Sequence, residues 1–329
     1  MELIILGSSA AIPIKNRNLS SIALRIERVP ETVLFDCGED VQRRFIEAGL
    51  KLNKPLKILI SHFHGDHING LPGLLFRFNL IERTAPLTII GPKNIFFYLF
   101  FHGLTVGLRA RYPITVIEID YVEKEKKIYK GLESWTPVVR EKIENGNMIL
   151  ETDKYLINYA VVEHSVLTYA YSLVEKPRNG KFNPKRALEL GIPQNYLWKR
   201  LHEGKKINFN GKTIDPEKEG IVGPKRPGRK ITYSGDTTPC NSLISLGMNS
   251  DVLIHEATFS QDLAQVALEK KHSTSIDAAN AALKMNAKKL IITHISSRYQ
   301  DDPSILLKEA QNIFQNTILA EDLMRIEIL

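Results

Sequence analysis

Short apolar runs alternate along the chain with segments that have helical spacing of their apolar residues. Runs rich in β-branched residues predict strands, and apolar residues three and four positions apart predict helices. The predicted strands are Leu3–Leu6, Ser20–Glu27, Thr32–Asp36, Ile58–Ser61, Leu87–Ile90, Ile114–Ile119, Leu156–Glu163, Thr168–Val174, Lys230–Ser234, Val252–His255 and Leu290–Thr293. The predicted helices are Glu39–Ala48, Leu71–Ile81, Asn94–Leu104, Gln261–Lys270, Ser275–Met285 with Ser275 as its N-cap, and Pro303–Phe314. Continuous apolar strands are typical of sheets covered on both faces, so the pattern predicts an α/β fold.

One segment differs from this pattern in both charge and composition. Residues 175–230 contain 15 Lys and Arg against 6 Asp and Glu, and because the whole chain has a net charge of +7, the rest of it sums to −2. The segment is rich in Pro and Gly, and we predict two short helices in it, at Lys185–Leu190 and Tyr196–His202. We interpret it as a basic insertion in a domain made of residues 1–174 and 231–329; the alternative is a solvated linker.

The overall composition is that of an ordinary globular protein. The chain has 329 residues, of which 43% are hydrophobic and 25% charged, and this excludes a wholly disordered or fibrous chain. Cys37 and Cys240 have no disulfide or metal spacing, which indicates a reducing compartment. The segment Met1–Gly7 matches a strand rather than a signal peptide, and the apolar run Ile95–Phe101 is too short to span a membrane. We expect a soluble, cytoplasmic protein whose basic excess permits a polyanionic partner.

Metal-capable side chains are concentrated after one predicted strand. His62, His64, Asp66 and His67 lie within six residues and directly follow the strand that ends at Ser61. Burying them without a metal would leave many donors and acceptors to satisfy. Other metal-capable residues also stand at the ends of predicted strands, where sites in open α/β sheets lie: Asp36, His164, Asp236 and His294.

The run His62–His67 resembles the HxHxDH motif of the metallo-β-lactamase superfamily, whose fold is a four-layer αββα sandwich. The resemblance implies two sets of ligands and a bridging carboxylate: His62, His64 and His164; Asp66, His67 and His294; and Asp236. Seven ligands suit two Zn²⁺ per subunit about 3.5–4 Å apart, with Mn²⁺ or another divalent ion as a possible occupant and a hydroxide between the ions as nucleophile. Asp36 is expected to orient a ligand. A flavodiiron-type redox role is disfavoured, because those sites typically have glutamate where His64 stands.

Further motifs are similar to those of one family in this superfamily, ribonuclease Z. They are the basic loop Pro13–Asn18, the Gly91–Lys93 turn, His255–Phe259 (the HEAT motif), His272–Thr274 (the HST loop) and the closing motif Thr293–Tyr299. The resemblance extends from Met1 to about Tyr299. Of the nine histidines, only His102 and His202 lie outside the proposed ligands and these motifs.

The family resemblance implies a zinc-dependent endoribonuclease that removes the 3′ trailer from precursor tRNA and leaves a 3′-hydroxyl on the tRNA. We expect Asp66 to act as general base besides binding metal, and His272 to donate a proton to the leaving oxygen. Glu256 would fix the orientation of His272, and His255 would support the metal ligands from behind.

The same resemblance assigns the basic insertion to a flexible arm that grips tRNA. The predicted RNA contacts are Lys15, Arg17, Lys185, Arg186, Lys199, Arg200, Lys205 and Lys206. The family's arm usually has a Gly-Pro turn, whereas this chain has Gly191–Asn195, and we expect Trp198 to pack inside the arm. The aromatic run Ile95–Phe101 predicts either a buried core helix or the interface of a homodimer, which is the family's oligomeric state.

Two other functions fit parts of the sequence. One is a small-molecule phosphodiesterase, lactonase or other hydrolase on the same fold, for which the basic insertion has no obvious use. The other is a non-catalytic RNA-binding protein with a structural metal, which the complete set of ligands and the HEAT and HST residues argue against.

Overall fold

The computed structural model describes residues 1–27, 29–133, 136–143 and 146–329. It divides into two compact units, one of residues 1–151, 156–173 and 230–329, the other of residues 152–155 and 174–229. Across the described ranges, no helix combines the length and the apolar character that crossing a membrane requires.

The elements follow the alternating pattern of the sequence. The strands are β1 (Glu2–Gly7), β2 (Ser21–Arg25), β3 (Thr32–Phe35), β4 (Leu56–Leu59), β5 (Leu87–Pro92), β6 (Ile114–Asp120), β7 (Glu125–Lys130), β8 (Val139–Lys142), β9 (Met148–Glu151), β10 (Tyr155–Val162), β11 (Thr168–Glu175), β12 (Ile207–Phe209), β13 (Lys212–Ile214), β14 (Lys230–Tyr233), β15 (Val252–Glu256), β16 (Leu290–Thr293), β17 (Thr317–Leu319) and β18 (Arg325–Glu327). The helices are α1 (Val41–Glu47), α2 (Gly65–Ile68), α3 (Gly70–Leu80), α4 (Ile95–Val106), α5 (Pro184–Glu189), α6 (Tyr196–His202), α7 (Asn241–Gly247), α8 (Ala264–Glu269), α9 (Ser275–Lys284) and α10 (Ser304–Ile313), and 3₁₀ turns cover Gln261–Leu263 and Ser297–Tyr299.

Two sheets form the centre of the larger unit. Their strand orders are β18-β1-β2-β3-β4-β5-β6-β7-β8 and β17-β16-β15-β14-β11-β10-β9. Strands β3 to β6 are parallel, as are β14 to β17, so the carboxyl ends within each group share one edge of their sheet. Apolar residues of α1, α3 and α4 pack on the first sheet, and those of α7, α9 and α10 on the second. This is the predicted αββα fold, which is confirmed.

Tyrosines of the second sheet bond across to the first. The hydroxyl of Tyr171 donates to the Ile60 carbonyl at 2.7 Å, and that of Tyr169 donates to the Ile119 carbonyl at 3.0 Å. Both tyrosines are fully buried. Because a buried hydroxyl without a partner is costly, these bonds fix the position of the second sheet over the first.

The smaller unit has an apolar core of its own. Both predicted helices are present, as α5 and α6, and their buried residues pack with those of β12, β13 and the adjoining loops: Ala187, Ile192, Leu197, Leu201, Ile207, Ile214 and Ile221. This chain has Gly191–Asn195 in place of the family's Gly-Pro turn. The side chain of Asn195, at the end of that segment, caps α6 by accepting a hydrogen bond from the Leu197 N–H at 2.8 Å. Trp198 packs inside as expected, since its indole N–H donates to the Ile192 carbonyl at 3.1 Å.

Several features of the sequence were misread, and the short elements β9, β12, β13, β17, β18 and α7 were not predicted. The N-cap of α9 is Thr274, not Ser275: Thr274 Oγ1 accepts from the Asp277 N–H, and the Asp277 carboxylate accepts from the Thr274 N–H. This capping box places Ser275 inside the helix. Strands β7 and β8 were missed, because β7 is half-buried and rich in lysine and every residue of β8 is exposed.

A glycine contact beside the metal-binding motif gives a first prediction. A Cβ atom on Gly70, the first residue of α3, would lie 1.9 Å from the Gly38 carbonyl oxygen. We expect Gly70→Ala to lower the free energy of unfolding by about 2 kcal/mol or more, measured by urea denaturation. Gly73→Ala in the same helix is the control, because a Cβ there meets only the flexible end of Gln42, at 3.3 Å, and alanine favours helix. Equal urea midpoints for the two variants would contradict the prediction.

Candidate metal centre

The predicted ligands converge at the carboxyl ends of the strands. His62 and His64 lie in the loop after β4, and Asp66 and His67 lie in α2 directly behind it. From the second sheet come His164 after β10, Asp236 after β14 and His294 after β16. The local fold requires this meeting, because parallel strands bring residues far apart in sequence to one edge.

The side chains form groups with the geometry of metal ligands. In each group one ligand atom per residue lies within 4.8 Å of all the others: His62, His64, His164 and Asp236; Asp66, His67 and His294; and Asp236, His272 and His294. The first group is the first predicted set together with Asp236, and the second group has the same three residues as the second predicted set. The third places His272, predicted only as a proton donor, next to Asp236 and His294.

Asp236 faces histidines of both sets. Its Oδ2 atom lies at 3.7 Å from His62 Nε2, 3.3 Å from His67 Nε2, 3.9 Å from His164 Nε2 and 3.4 Å from His294 Nε2. Burial opposes its charge, but the imidazoles of His294 and His67 outweigh burial and hold the pKa of Asp236 well below its usual range. An ionised carboxylate at the centre of four imidazoles is the donor set expected of a bridging ligand.

The residues present fit a bound divalent metal. His62 Nε2 is buried and has no hydrogen-bond partner in the described part of the chain. Imidazole nitrogens also face one another closely, at 3.2 Å between His64 Nδ1 and His164 Nε2 and at 3.3 Å between His67 Nε2 and His294 Nε2. Buried nitrogens in this arrangement need either a shared proton or a shared cation, and a cation satisfies all of them together.

The buried carboxylate of Asp36 holds the ligand His67 and the strand end that precedes His62 in place. Its carboxylate is fully buried and accepts hydrogen bonds from the Ser61 N–H and Oγ, each at 2.7 Å, and from the Tyr233 hydroxyl at 2.6 Å. It also lies 2.7 Å from Nδ1 of His67. Burial opposes a charged His67, yet the carboxylates of Asp236 and Asp36 raise the pKa of His67 well above its ordinary value. Asp36 belongs to none of the ligand groups, which agrees with an orienting role.

Glu256 anchors the remaining histidine of the site. Its Oε1 lies 2.8 Å from His272 Nδ1, and its Oε2 accepts from the Thr258 hydroxyl at 2.6 Å. Burial lowers the pKa of His272, but the Glu256 carboxylate outweighs burial and raises this pKa to about 9. The neighbouring His255 is buried, with Nδ1 at 2.6 Å from the Glu256 carbonyl, so it supports this strand end, and it belongs to none of the ligand groups.

Sequence reasoning missed several backbone contributions. The Ala11 N–H donates to Asp66 Oδ2 at 2.8 Å, and the Lys271 carbonyl lies 2.7 Å from His164 Nδ1. Main-chain groups leave no residue-type signal, so no motif could have indicated them. Ala11, Asp36 and His294 also adopt left-handed backbone conformations, with φ of 59°, 56° and 58°. For residues other than glycine this conformation costs about 1–2 kcal/mol each, a strain that clusters at functional sites.

The predicted RNA contacts of the larger unit separate into two cases. Lys15 is exposed. Arg17 is buried, and its guanidinium donates to the Ser8 hydroxyl at 2.7 Å and to the Ala320 carbonyl. Burial lowers the pKa of Arg17, and its donors serve the core. The expectation that Arg17 contacts RNA therefore does not fit its position, and we omit it from the proposed RNA surface.

In the smaller unit the predicted contacts are mostly exposed: Lys185, Lys199, Arg200, Lys205 and Lys206. Arg186 is half-buried and donates to the Glu219 carbonyl at 2.9 Å. Lys205 and Lys206 pair with Glu203 and Asp215 of the same unit.

The fold and the clustered histidines and aspartates define a metal-dependent hydrolase of the metallo-β-lactamase fold. Ribonuclease Z of Methanosarcina mazei is 34% identical over 328 residues, which cover 100% of this chain and 98% of that protein. Ribonuclease Z of Prochlorococcus marinus strain MIT 9301 is 37% identical over 333 residues, 100% of both chains. The crystal structure of human tRNase Z, short form, covers 100% of both chains at 25% identity with a TM-score of 0.67. The chain belongs to the ribonuclease Z family, and it is a phosphodiester-hydrolysing endoribonuclease.

A family model described as anti-Pycsar protein Apyc1 also matches residues 1–129. The matched part contains Asp36 and the HxHxDH motif but ends before the ligands of the second sheet, His164, Asp236 and His294. The match to this family model therefore concerns only the first sheet and its motif. The family assignment rests on the relatives that match the chain over its full length.

The contacts of Asp36 give the prediction for this site. Asp36→Asn keeps the side-chain shape and the left-handed backbone but removes the charge that holds His67. We expect divalent-metal affinity to fall by about 10- to 100-fold, measured by titration of Zn²⁺ against a competing chelator. Asp40→Asn is the control. Asp40 also has a left-handed φ, of 63°, but its carboxylate forms an ion pair with the exposed Arg43 and belongs to none of the ligand groups. An unchanged affinity in Asp36→Asn would refute the orienting role.

Proposed function

We propose that this endoribonuclease removes the 3′ trailer from precursor tRNA with two Zn²⁺ per subunit and leaves a 3′-hydroxyl on the tRNA. The observation that carries the proposal is the pair of ligand groups with Asp236 between them, in one group with His62, His64 and His164 and within 3.4 Å of His67 and His294, in a chain that its ribonuclease Z relatives match over its whole length. The name tRNase Z of the human structural relative points to tRNA as the substrate.

The ligand groups allow a specific assignment of metal-binding roles. One cation would be held by His62, His64 and His164, the other by Asp66, His67 and His294, with Asp236 shared. Imidazole and carboxylate donors suit Zn²⁺, and Mn²⁺ is an alternative occupant. When bound, the two cations would supply Lewis acidity that lowers the pKa of water and neutralises charge on the phosphate.

The protein's own residues divide the proton transfers between them. Asp66, whose carboxylate accepts a hydrogen bond from the Ala11 N–H, takes a proton from the attacking water while the oxygen of that water bonds to phosphorus. His272, held at Nδ1 by Glu256, gives a proton from Nε2 to the departing 3′-oxygen of the tRNA. The bond from phosphorus to this oxygen breaks, so the tRNA ends in a 3′-hydroxyl and the trailer keeps the 5′-phosphate. The RNA 2′-hydroxyl takes no part.

The smaller unit supports recognition of a folded polyanion. We assign it as the arm that binds the tRNA body through phosphates, with Lys185, Lys199 and Arg200 as the principal contacts. Lys15, in the exposed loop that precedes Arg17, would contact RNA nearer the scissile bond.

The exposed face of α4 supports a homodimer. Ile95, Phe96 and Leu99 are buried, as a core helix requires, while Phe101 is 56% and Leu104 65% exposed. The helix thus has both an inward face and an uncovered apolar face, and a second copy of the chain would cover the latter. The two buried, unpaired cysteines are consistent with a reducing cytoplasm, which we keep as part of the proposal.

A precursor-tRNA assay tests the reaction. We expect Zn²⁺- or Mn²⁺-loaded protein to release mature tRNA with a 3′-hydroxyl. Asp66→Ala should lower kcat by about 10³-fold, because it removes both a base and a ligand, while the precursor Kd stays within about threefold. Asp40→Ala is the matched control, because Asp40 is half-buried and belongs to none of the ligand groups. Intact precursor at high concentrations of metal-loaded enzyme would reject the proposal, and turnover of bis-p-nitrophenyl phosphate without tRNA affinity would favour a small-molecule phosphodiesterase.

Substitutions in the arm test its role separately from catalysis. Lys199 and Arg200 are exposed and have no ion-pair partner among the described residues, so their charge is available to phosphates. We expect Lys199→Ala with Arg200→Ala to weaken precursor binding and to reduce the slope of log Kd against log salt by about 1 per lost contact. The kcat at saturating RNA should not change. Lys288→Ala, an exposed lysine of the larger unit, is the control; equal salt slopes in both variants would remove the arm from the proposal.

A further inference from the structure

A cavity of about 420 Å³ lies in the larger unit, and none of the proposed metal ligands lines it. The described residues that line it are Tyr121, Lys124, Ile143, Gly146, Asn147, Tyr159 and Val161. Its volume is in the range of sites that bind small organic ligands. None of the lining residues has a role in the reaction described above.

The cavity shares an edge of the sheet with the metal ligands. Tyr121 directly follows β6 and His62 closely follows β4, two strands away in the same parallel group. Adjacent strands are about 4.8 Å apart, so the ends of β4 and β6 are separated by roughly 10 Å.

A buried tyrosine connects the two places. The Tyr169 N–H donates to the Ser61 carbonyl at 3.0 Å, next to His62. Its ring packs edge-on against Tyr159 with 5.1 Å between ring centroids, and Tyr159 forms part of the cavity wall. The ring of Tyr169 therefore lies between the cavity wall at Tyr159 and the strand end at Ser61, which precedes the ligand His62.

The lining has the chemistry of a nucleotide site. Tyr121 is 43% exposed and offers a ring face for a base to stack on. Lys124 forms no ion pair with any residue the structure describes, so its ammonium is available to a phosphate. Asn147 provides an amide that both donates to and accepts from a base edge.

We propose that this cavity binds an unpaired nucleotide of the 3′ trailer, downstream of the scissile phosphate. The inference rests on the proposed function. A base that enters a cavity must be unstacked, and the acceptor stem of a tRNA is paired, which leaves the single-stranded 3′ end. The discriminator base adjoins the scissile phosphate, whereas Tyr121 of the cavity follows a strand whose end is roughly 10 Å from that of β4, so we place the occupant beyond the first trailer nucleotide.

Trailer length provides the kinetic test. For a precursor with a trailer of several nucleotides, we expect Tyr121→Ala to raise KM by about tenfold with kcat unchanged, because it removes one base-stacking contact. For a trailer of a single nucleotide, which ends before the cavity, KM should stay within about twofold of the wild type. Tyr121→Phe should have the wild-type KM for the longer substrate, since phenylalanine keeps the aromatic ring.

Val122→Ala is the matched control, because Val122 is 69% exposed in the same turn and does not line the cavity. Effects of Tyr121→Ala that are equal for both trailers, or absent for both, would overturn the proposal. If the wild type cleaves neither precursor, the proposed function fails, and a binding experiment then decides about the cavity.

That experiment is photo-cross-linking, which needs no cleavage. The Asp66→Ala variant, which is expected to bind precursor without cleaving it, is irradiated with precursor carrying 4-thiouridine either at the second trailer position or at the discriminator. Cross-links to the peptide containing Tyr121 from the trailer position alone support the proposal. Cross-links from the discriminator alone, or from neither position, reject it.

Discussion

The buried carboxylate of Asp36 joins the parts of the molecule that the metal centre requires. It accepts from Ser61 behind β4, lies against His67 of α2, and accepts from Tyr233 of the second sheet. A buried charge is stable only when its lone pairs are satisfied, so these partners must keep their positions. The two sheets, the HxHxDH loop and the imidazole of His67 are thereby held in a single arrangement. The other ligands lie at the neighbouring strand ends, whose positions this arrangement fixes.

Much of the fold and of the site could be predicted from the sequence because the informative side chains have unusual types at regular places. His62, Asp236 and His294 each follow an apolar strand, and parallel strands bring such positions together whatever their separation along the chain. What could not be predicted depends on the backbone or on burial. The Ala11 N–H at Asp66 has no sequence signal, and Arg17 stands in a basic loop but turns its guanidinium into the core. Polar edge strands such as β8 lack the apolar alternation that predicts strands.

The basic segment shows how a count of charges can mislead about where charge acts. Lys205 and Lys206 are paired with Glu203 and Asp215 of the same unit, and the guanidinium of Arg229 lies buried against Glu175. These cations stabilise or neutralise the unit itself. The charge left for a polyanion is concentrated on fewer residues than the sequence suggests, Lys199 and Arg200 among them, and this favours a few well-placed phosphate contacts over a diffuse attraction.

The left-handed backbone at Asp36 and His294 has a consequence for the engineering of this enzyme. Glycine would relax the chain at either position, yet it would delete a carboxylate or an imidazole that the site uses. At Asp36, glycine would also leave the buried Ser61, Tyr233 and His67 without their partner, and this loss would outweigh the relief of the backbone. The strained conformation and the side chain are therefore coupled there, and no exchange to glycine can relieve the first without losing the second.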